Sequence, residues 1–433
     1  MQPVVDNRIF FGYWLVAASF LAQFVSIGMY SYVLGSFMLP MIDEMGWSRG
    51  DFTLTRTIGQ IVMAAVGVVV GARVDRFGGR PIMLVGATIL TVALVLHSFI
   101  DTLWAWWLIN GVLLTLGCAM VGTLVVNVTL SKWFVRGRGK AIAFAAMGVS
   151  FGGVALTPFA TWLVDTIGWR PAWIWLGVVT ALLLYPVAFM MRRAPEDHGL
   201  HPDGITDAQV AAGAGSAAQA EDARTYTRAE ALRTLTFYAM VVAFGFFSIN
   251  IVVMLLQTIP YLTDNGFSRN QAVLAMFIAS IPAMVSKPVW GYLIDRSRPK
   301  PLAAVSATVT GLALFLIVTA VNGQQLFWIY AAFAVLGLGW GGMIPLQEVI
   351  WASFYGRRHI GAIRGAGLPF AFALGAVAPW LVSVYHDRVG EYDGALLVVA
   401  TLNLISGLLI FLVPPPRKKM QVRTDDGVLT SAD

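Results

Sequence analysis

Residues 40–49 read Pro-Met-Ile-Asp-Glu-Met-Gly-Trp-Ser-Arg, and residues 260–269 read Pro-Tyr-Leu-Thr-Asp-Asn-Gly-Phe-Ser-Arg. Proline, glycine, serine and arginine keep their places. An acid recurs at Glu44 and Asp264, and an aromatic at Trp47 and Phe267. At the same offset, Gly71, Asp75 and Arg76 return as Gly291, Asp295 and Arg296. A repeat at half the chain length, in the same order and spacing, implies two homologous halves. In a chain this apolar, parallel halves predict a carrier whose halves rock about a shared central site.

The composition agrees with that expectation. Of 433 residues 58% are hydrophobic and only 12% charged, far from the balance of a soluble domain. Stretches of about 20 apolar residues, enough to span a bilayer, occur twelve times. The first six fall at 11–37, 52–72, 82–100, 103–131, 140–163 and 171–191. The second six fall at 235–262, 270–293, 302–321, 326–350, 361–384 and 394–413. Without water to satisfy the backbone inside lipid, such spans must be helices. The expected fold is therefore all-α and integral to the membrane, with twelve transmembrane helices in two pseudo-symmetric six-helix halves. Those halves are residues 1–191 and 234–413, joined by a linker at 192–233 and followed by a tail at 414–433.

The formal charge of +6 reflects topology. Arg49, Arg170, Arg269 and Arg388 fall on one side, and Arg56, Lys287 and Arg364 within spans. The remaining Lys and Arg lie in the termini and in the loops that alternate with them on the other side. Basic residues collect on the cytoplasmic side, so both termini and the central loop are expected there, at the inner membrane. The bilayer is the partner this charge addresses, and no nucleic acid is implied. The first apolar run is span-length and ends in no small-residue cleavage site, so it is expected to stay as an anchor. Within the linker, Thr227 and Glu230 have the spacing of a capping box that starts a short helix.

No catalytic constellation appears, so an enzyme is not expected. Cys118 is the single cysteine and lies in the fourth span, which leaves no disulfide and no thiolate metal site. The five histidines are scattered over span ends and loops, and no metal or cofactor is expected. The run Gly337-Leu-Gly339-Trp340-Gly341-Gly342 imitates a nucleotide fingerprint, but it follows no strand. Small residues in a span usually serve helix packing.

The loop Gly71-Ala-Arg-Val-Asp75-Arg76-Phe-Gly78-Gly79-Arg80 resembles the motif between the second and third helices of the major facilitator superfamily. A degenerate second copy stands at Gly291-Tyr-Leu-Ile-Asp295-Arg296. Gly46-Trp47-Ser48-Arg49, Lys132-Trp133-Phe134, Gly168-Trp169-Arg170 and Phe354-Tyr355-Gly356-Arg357-Arg358 are similar to its bacterial monocarboxylate and oxalate/formate porter branch. In that superfamily the loop motif acts as a cytoplasmic latch, which implies that role for Gly71, Asp75, Arg76, Asp295 and Arg296. Taken alone, each loop is an ordinary polar turn.

Charge inside a bilayer is costly and marks function by default. Lys287 is the deepest cation, and its repeat counterpart is Gly67, so it breaks the internal symmetry. Lys287-Pro288-Val289-Trp290-Gly291 falls where the resembling porters carry Arg-Pro-x-x-Gly, whose arginine binds the substrate carboxylate. The plainer alternative is a lysine snorkelling to the surface. The animal branch has a proton-coupling aspartate four residues earlier, where this chain has Ala283. Asp264 and Glu348 are the remaining candidates for proton coupling. Glu348 and Arg364 lie near the ends of consecutive spans and can pair as a gate or structural tie. Asn127 and its counterpart Gln347, with Tyr32, Asn250 and Trp340, are candidates to complete a pocket, although each alone is more often an interhelical contact.

The resemblance implies proton-coupled transport of a small organic carboxylate by alternating access, with a monocarboxylate such as lactate or pyruvate fitting one deep cation. Alternatives are an exchanger of the oxalate/formate type, a facilitator of another organic solute, or a non-transporting carboxylate sensor. A monomer is expected.

Overall fold

The repeated segment builds the same joint twice. In the computed structural model, which describes residues 10–223, 225–416, 421–423 and 429–431, the first span α1 (Phe11–Met45) ends at Gly46 with φ 68°. After it, the Ser48 side chain accepts the Asp51 amide at 3.0 Å and starts α2 (Gly50–Phe77). In the second half α7 (Leu235–Asp264) gives way to Gly266 at φ 87°, and Ser268 caps α8 (Arg269–Arg296). That second cap is reciprocal, because Gln271 reaches back to the Ser268 amide at 2.8 Å. Glycine takes the left-handed turn without a Cβ penalty, and serine satisfies an amide that the helix start leaves orphaned. The sequence repeat is therefore a stop–turn–start signal.

The other spans are α3 (Gly79–His97), α4 (Leu103–Trp133), α5 (Arg138–Ile167) and α6 (Trp169–Met190) in the first half. In the second half they are α9 (Pro299–Asn322), α10 (Leu326–Tyr355), α11 (Ile360–Val389) and α12 (Asp393–Leu412). All twelve are long and apolar enough to cross a membrane, and several run past their apolar stretches. Two of them depart from α geometry. α1 carries a π-helical turn at Gly28–Tyr32, and α4 carries one at Trp107–Leu114 followed by a break at Gly122. In the tail, Gln421–Arg423 pairs antiparallel with Leu429–Ser431, the strand pair seen among the described residues.

Both described ends and the linker lie at one face of the bundle, here termed the linker face. The linker packs across it. Arg138 of α5 binds Glu221 through both terminal nitrogens at 2.9 and 2.8 Å, and Arg357 beside α11 binds Glu196 at 2.6 Å. The capping box expected at Thr227 forms, with the Glu230 carboxylate accepting the Thr227 amide at 2.7 Å.

The buried core is divided unevenly between the halves. One cluster joins the first half to the linker-face ends of the second, including Phe237, Ile294, Trp351, Tyr355 and Ile363. A separate cluster fills the opposite part of the second half, with Val253, Tyr261, Ala279, Ile317 and Phe333. The two halves thus share a core on the linker face and keep separate cores away from it. Lipid is as apolar as leucine, so the seams depend on close backbone approach. A Cβ on Gly71 would lie 2.0 Å from the Gly361 carbonyl oxygen, and one on Gly291 would lie 2.8 Å from the Gly139 oxygen.

Candidate functional site

The two motif aspartates perform matching tasks across the seam. Asp75, at the end of α2, accepts the Ala362 amide in the first turn of α11 at 2.7 Å and pairs with Lys132 of α4 at 2.9 Å. Asp295, at the end of α8, accepts the amides of Gly139 and Lys140 in the first turn of α5 at 2.7 and 3.2 Å. Each carboxylate therefore sits on the N-terminus of a helix in the other half, where free amides and the helix dipole favour an anion. Arg76 and Arg296 take no part in this; they lie over the Phe77 and Tyr292 rings at 5.0 and 4.3 Å. Gly71 is the point of closest approach, so Gly71→Ala is expected to wedge α2 from α11. Overpacking costs about 1–3 kcal/mol, enough to shift a two-state balance by roughly 5–150-fold. Maleimide labelling of a cysteine at Leu368, which packs on Gly67 across this seam, should accelerate accordingly. An unchanged rate would remove the glycine contact from any role in closure.

Deeper in the bundle, α8 turns Lys287 toward α5. Its side chain is 4% exposed and donates to the Ser150 hydroxyl in the other half at 2.5 Å. Among the described residues no carboxylate pairs with it. The neighbouring Ser286 and Trp290 face α10 instead, both donating to the Leu338 carbonyl. Helix phase thus separates the packing residues from the one that crosses between halves. Ala283, one turn earlier, is buried. One turn beyond Ser150 on the same face of α5, the Tyr32 ring lies against Gly153. Trp340 of α10 donates to Asn250 of α7 at 3.0 Å, and the adjacent Gly341 packs on Ser286, which sets that pair at the depth of Lys287. The Asn250 amide nitrogen keeps no partner of its own.

Other candidates lie elsewhere. Glu348 is bound by Arg364 through two bonds of 2.6 and 3.0 Å, with both side chains under a tenth exposed and the guanidinium 5.4 Å over Trp351. The expected pair forms. Asp264 lies at the end of α7 opposite the linker face, half exposed and 3.5 Å from His386, and is not brought to Lys287. Asn127 is fully buried with neither amide atom partnered, and Gln347 is half-buried. Among the described residues no group of His, Cys, Asp and Glu is placed to hold a metal.

The hydrogen bonds and close glycine contacts that join the halves, among the described residues, run from the level of Lys287 to the linker face. They engage residues 67–75 and 132–150 on one side and 287–295 and 357–368 on the other. The sequence profile of the Major Facilitator Superfamily matches residues 19–363 and, overlapping, residues 235–431. The chain belongs to the Major Facilitator Superfamily. Human monocarboxylate transporter 11 is 26% identical over 430 residues, covering 96% of this chain and 85% of the relative. The oxalate:formate antiporter of Oxalobacter formigenes is 25% identical, covering 96% and 95%. The proton:xylose symporter XylE shares the fold with a TM-score of 0.74 at 15% identity, covering 93% of this chain and 96% of that one. This superfamily member is a multi-pass transporter and not an enzyme.

Three contacts of this transporter have no clear signal in its sequence. Ser150 sits in the small-residue run Gly148-Val-Ser150-Phe-Gly152-Gly153, where one hydroxyl stands out from nothing. Lys132 belongs to a quoted motif, yet its pairing with Asp75 bridges 57 positions. Arg56 lies 5.1 Å over the Tyr30 ring and donates to the Ser31 carbonyl at 2.8 Å. That carbonyl belongs to the π-helical turn of α1, which composition does not announce.

Proposed function

We propose that the transporter carries a small organic carboxylate across the inner membrane, with a monocarboxylate such as lactate or pyruvate as cargo and protons as the coupled ion. The observation that supports this reading most is Lys287, buried, without a carboxylate partner among the described residues, and bonded across the seam to Ser150. An unpaired ammonium in a low-dielectric seam is costly to bury. A substrate carboxylate that joined it would remove that cost, and closing the site would become easier with substrate than without. A lysine engages a carboxylate as a point charge without a guanidinium fork, which suits a small cargo of variable pose. Tyr32 and the Asn250–Trp340 pair, at the same depth, would line the space beside it.

In this reading the first six spans rock against the last six, with the linker and both termini in the cytoplasm and one chain acting alone. The linker face is then the closed, inward side, and the other side admits substrate. Asp75 and Asp295 hold that closure by capping the opposing half, and Gly71 and Gly291 allow the approach. Of the two acids considered for proton coupling, Glu348 is committed to Arg364, while Asp264 stands at the outer rim beside His386.

The 25% identity to the oxalate:formate antiporter favours a second reading, exchange of oxalate for formate at the same Lys287 site. Uptake of labelled lactate, pyruvate and oxalate into proteoliposomes, with and without an inward proton gradient, separates the two. Gradient-driven entry of a monocarboxylate is the expected result. Oxalate entry that needs internal formate and ignores the gradient would replace it with exchange. No flux of any carboxylate by folded protein would overturn both.

A further inference from the structure

A basic pocket and an apolar groove meet on the outer surface of the first half, away from the seam. The pocket, about 570 Å³, lies at the linker face where α2, α3 and the end of α6 converge. Arg76, Arg80, Arg192 and Arg193 line it, with Asp197 and His198. Arg193 is engaged: it holds Asp197 in a bidentate pair, and that bond keeps the Asp197 carboxyl below its ordinary range. The other three arginines have no carboxylate partner among the described residues. They lie over aromatic rings, Arg76 on Phe77, Arg80 on Phe189 and Arg192 on Phe11. The pocket therefore carries three uncompensated guanidiniums, gathered on a short arc at one end of the bundle.

The groove, about 530 Å³, continues from it along α2, α3 and α4. Phe77 and Pro81 line both spaces, so they share a wall. Beyond that wall the lining is apolar, with Val69 and Val85 about half exposed on the lipid-facing surface and Leu116 and Met120 behind them. Arg73 adds a fifth guanidinium where the groove nears the pocket, the fourth without a carboxylate partner among the described residues. A soluble anion has no use for the groove, and an apolar ligand has no use for the arginines.

We propose that this composite site binds one phospholipid with an anionic headgroup, its phosphate among Arg76, Arg80 and Arg192 and an acyl chain along Val69 and Val85. Basic pockets between spans near the headgroup region attract acidic lipids by this combination of charge and depth. Guanidinium adds planar, bidentate recognition of phosphate oxygens. The site belongs to α2 and α3, the helices joined by the Asp75 loop, so an occupied pocket would brace the loop whose carboxylate caps α11. This inference is independent of the identity of the transported cargo.

Native mass spectrometry of the full chain in detergent, with equal amounts of phosphatidylglycerol and phosphatidylethanolamine, tests it. One retained phosphatidylglycerol is expected, preferred by at least about tenfold, since each basic residue near the surface favours an acidic lipid. Arg80→Gln with Arg192→Gln should weaken retention about tenfold, and Val85→Trp, which fills the groove and leaves the charges, should weaken it as well. Millimolar inorganic phosphate should not displace the lipid. Equal retention of the two lipids would overturn the proposal, as would retention untouched by either variant. Displacement by phosphate with no effect of Val85→Trp would make it a site for a soluble anion. If the double variant does not fold, Val85→Trp and the phosphate competition on the unaltered chain decide.

Discussion

Lys287→Ala is expected to weaken carboxylate uptake strongly while leaving a folded, membrane-inserted protein. A hydrogen bond to a charged group is worth about 1.5–3 kcal/mol, so sub-saturating uptake should fall by roughly 10–150-fold. Folding should survive because the contact of Lys287 across the seam is the neutral Ser150 hydroxyl, and its removal strands no opposite charge. Lys287→Met keeps the side-chain volume and should behave like alanine, which separates charge from packing. Lys287→Arg should keep part of the activity, since the charge remains while the guanidinium fork imposes a different geometry. Uptake assays beside size-exclusion profiles read all three. Normal uptake by Lys287→Met would remove the lysine from the binding site.

Breaking the Glu348–Arg364 pair should cost stability instead. Both groups are under a tenth exposed and joined by two bonds, so replacing one leaves the other charged and buried. Such losses run to about 3–5 kcal/mol. Arg364→Met and Glu348→Gln should each lower the melting temperature in detergent markedly. Glu348→Gln combined with Arg364→Met should recover most of the loss, because a neutral pair of similar volume leaves no buried charge unpaired. A double variant as unstable as the sum of the singles would show that the two side chains do not act as a pair. This behaviour also distinguishes the pair from Lys287, where the expected loss is in transport.

Much of this molecule is written locally. Twelve spans are legible because lipid leaves a chain few options: an apolar run of sufficient length must satisfy its backbone within itself. The glycine and serine of the repeated joint are legible for a similar reason, since a left-handed turn and an N-cap are chosen by single residues at Gly46, Ser48, Gly266 and Ser268. Lys287 stood out by chemistry alone, as a charge where burial is costly and where the internal repeat has Gly67. The Glu348–Arg364 pair was within reach because its members lie 16 positions apart on adjoining spans.

What the tertiary structure decided are the partners. Asp75 and Ala362 are separated by 287 positions, and Lys287 and Ser150 by 137. A helix turns about 100° per residue, so until α5, α8 and α11 are packed nothing local says which neighbour a side chain meets. The exchange of caps between halves, the separation of Asp264 from Lys287, and the meeting of a basic pocket with an apolar groove all follow from that packing. The sequence by itself determined the twelve spans and the deepest cation, Lys287, because each is set by residues within a span of one another. It also determined the twofold repeat, because that is read by laying one half of the chain over the other. Only the folded bundle decided that the halves close on the linker face, because closure depends on backbones brought within touching distance at Gly71 and Gly361.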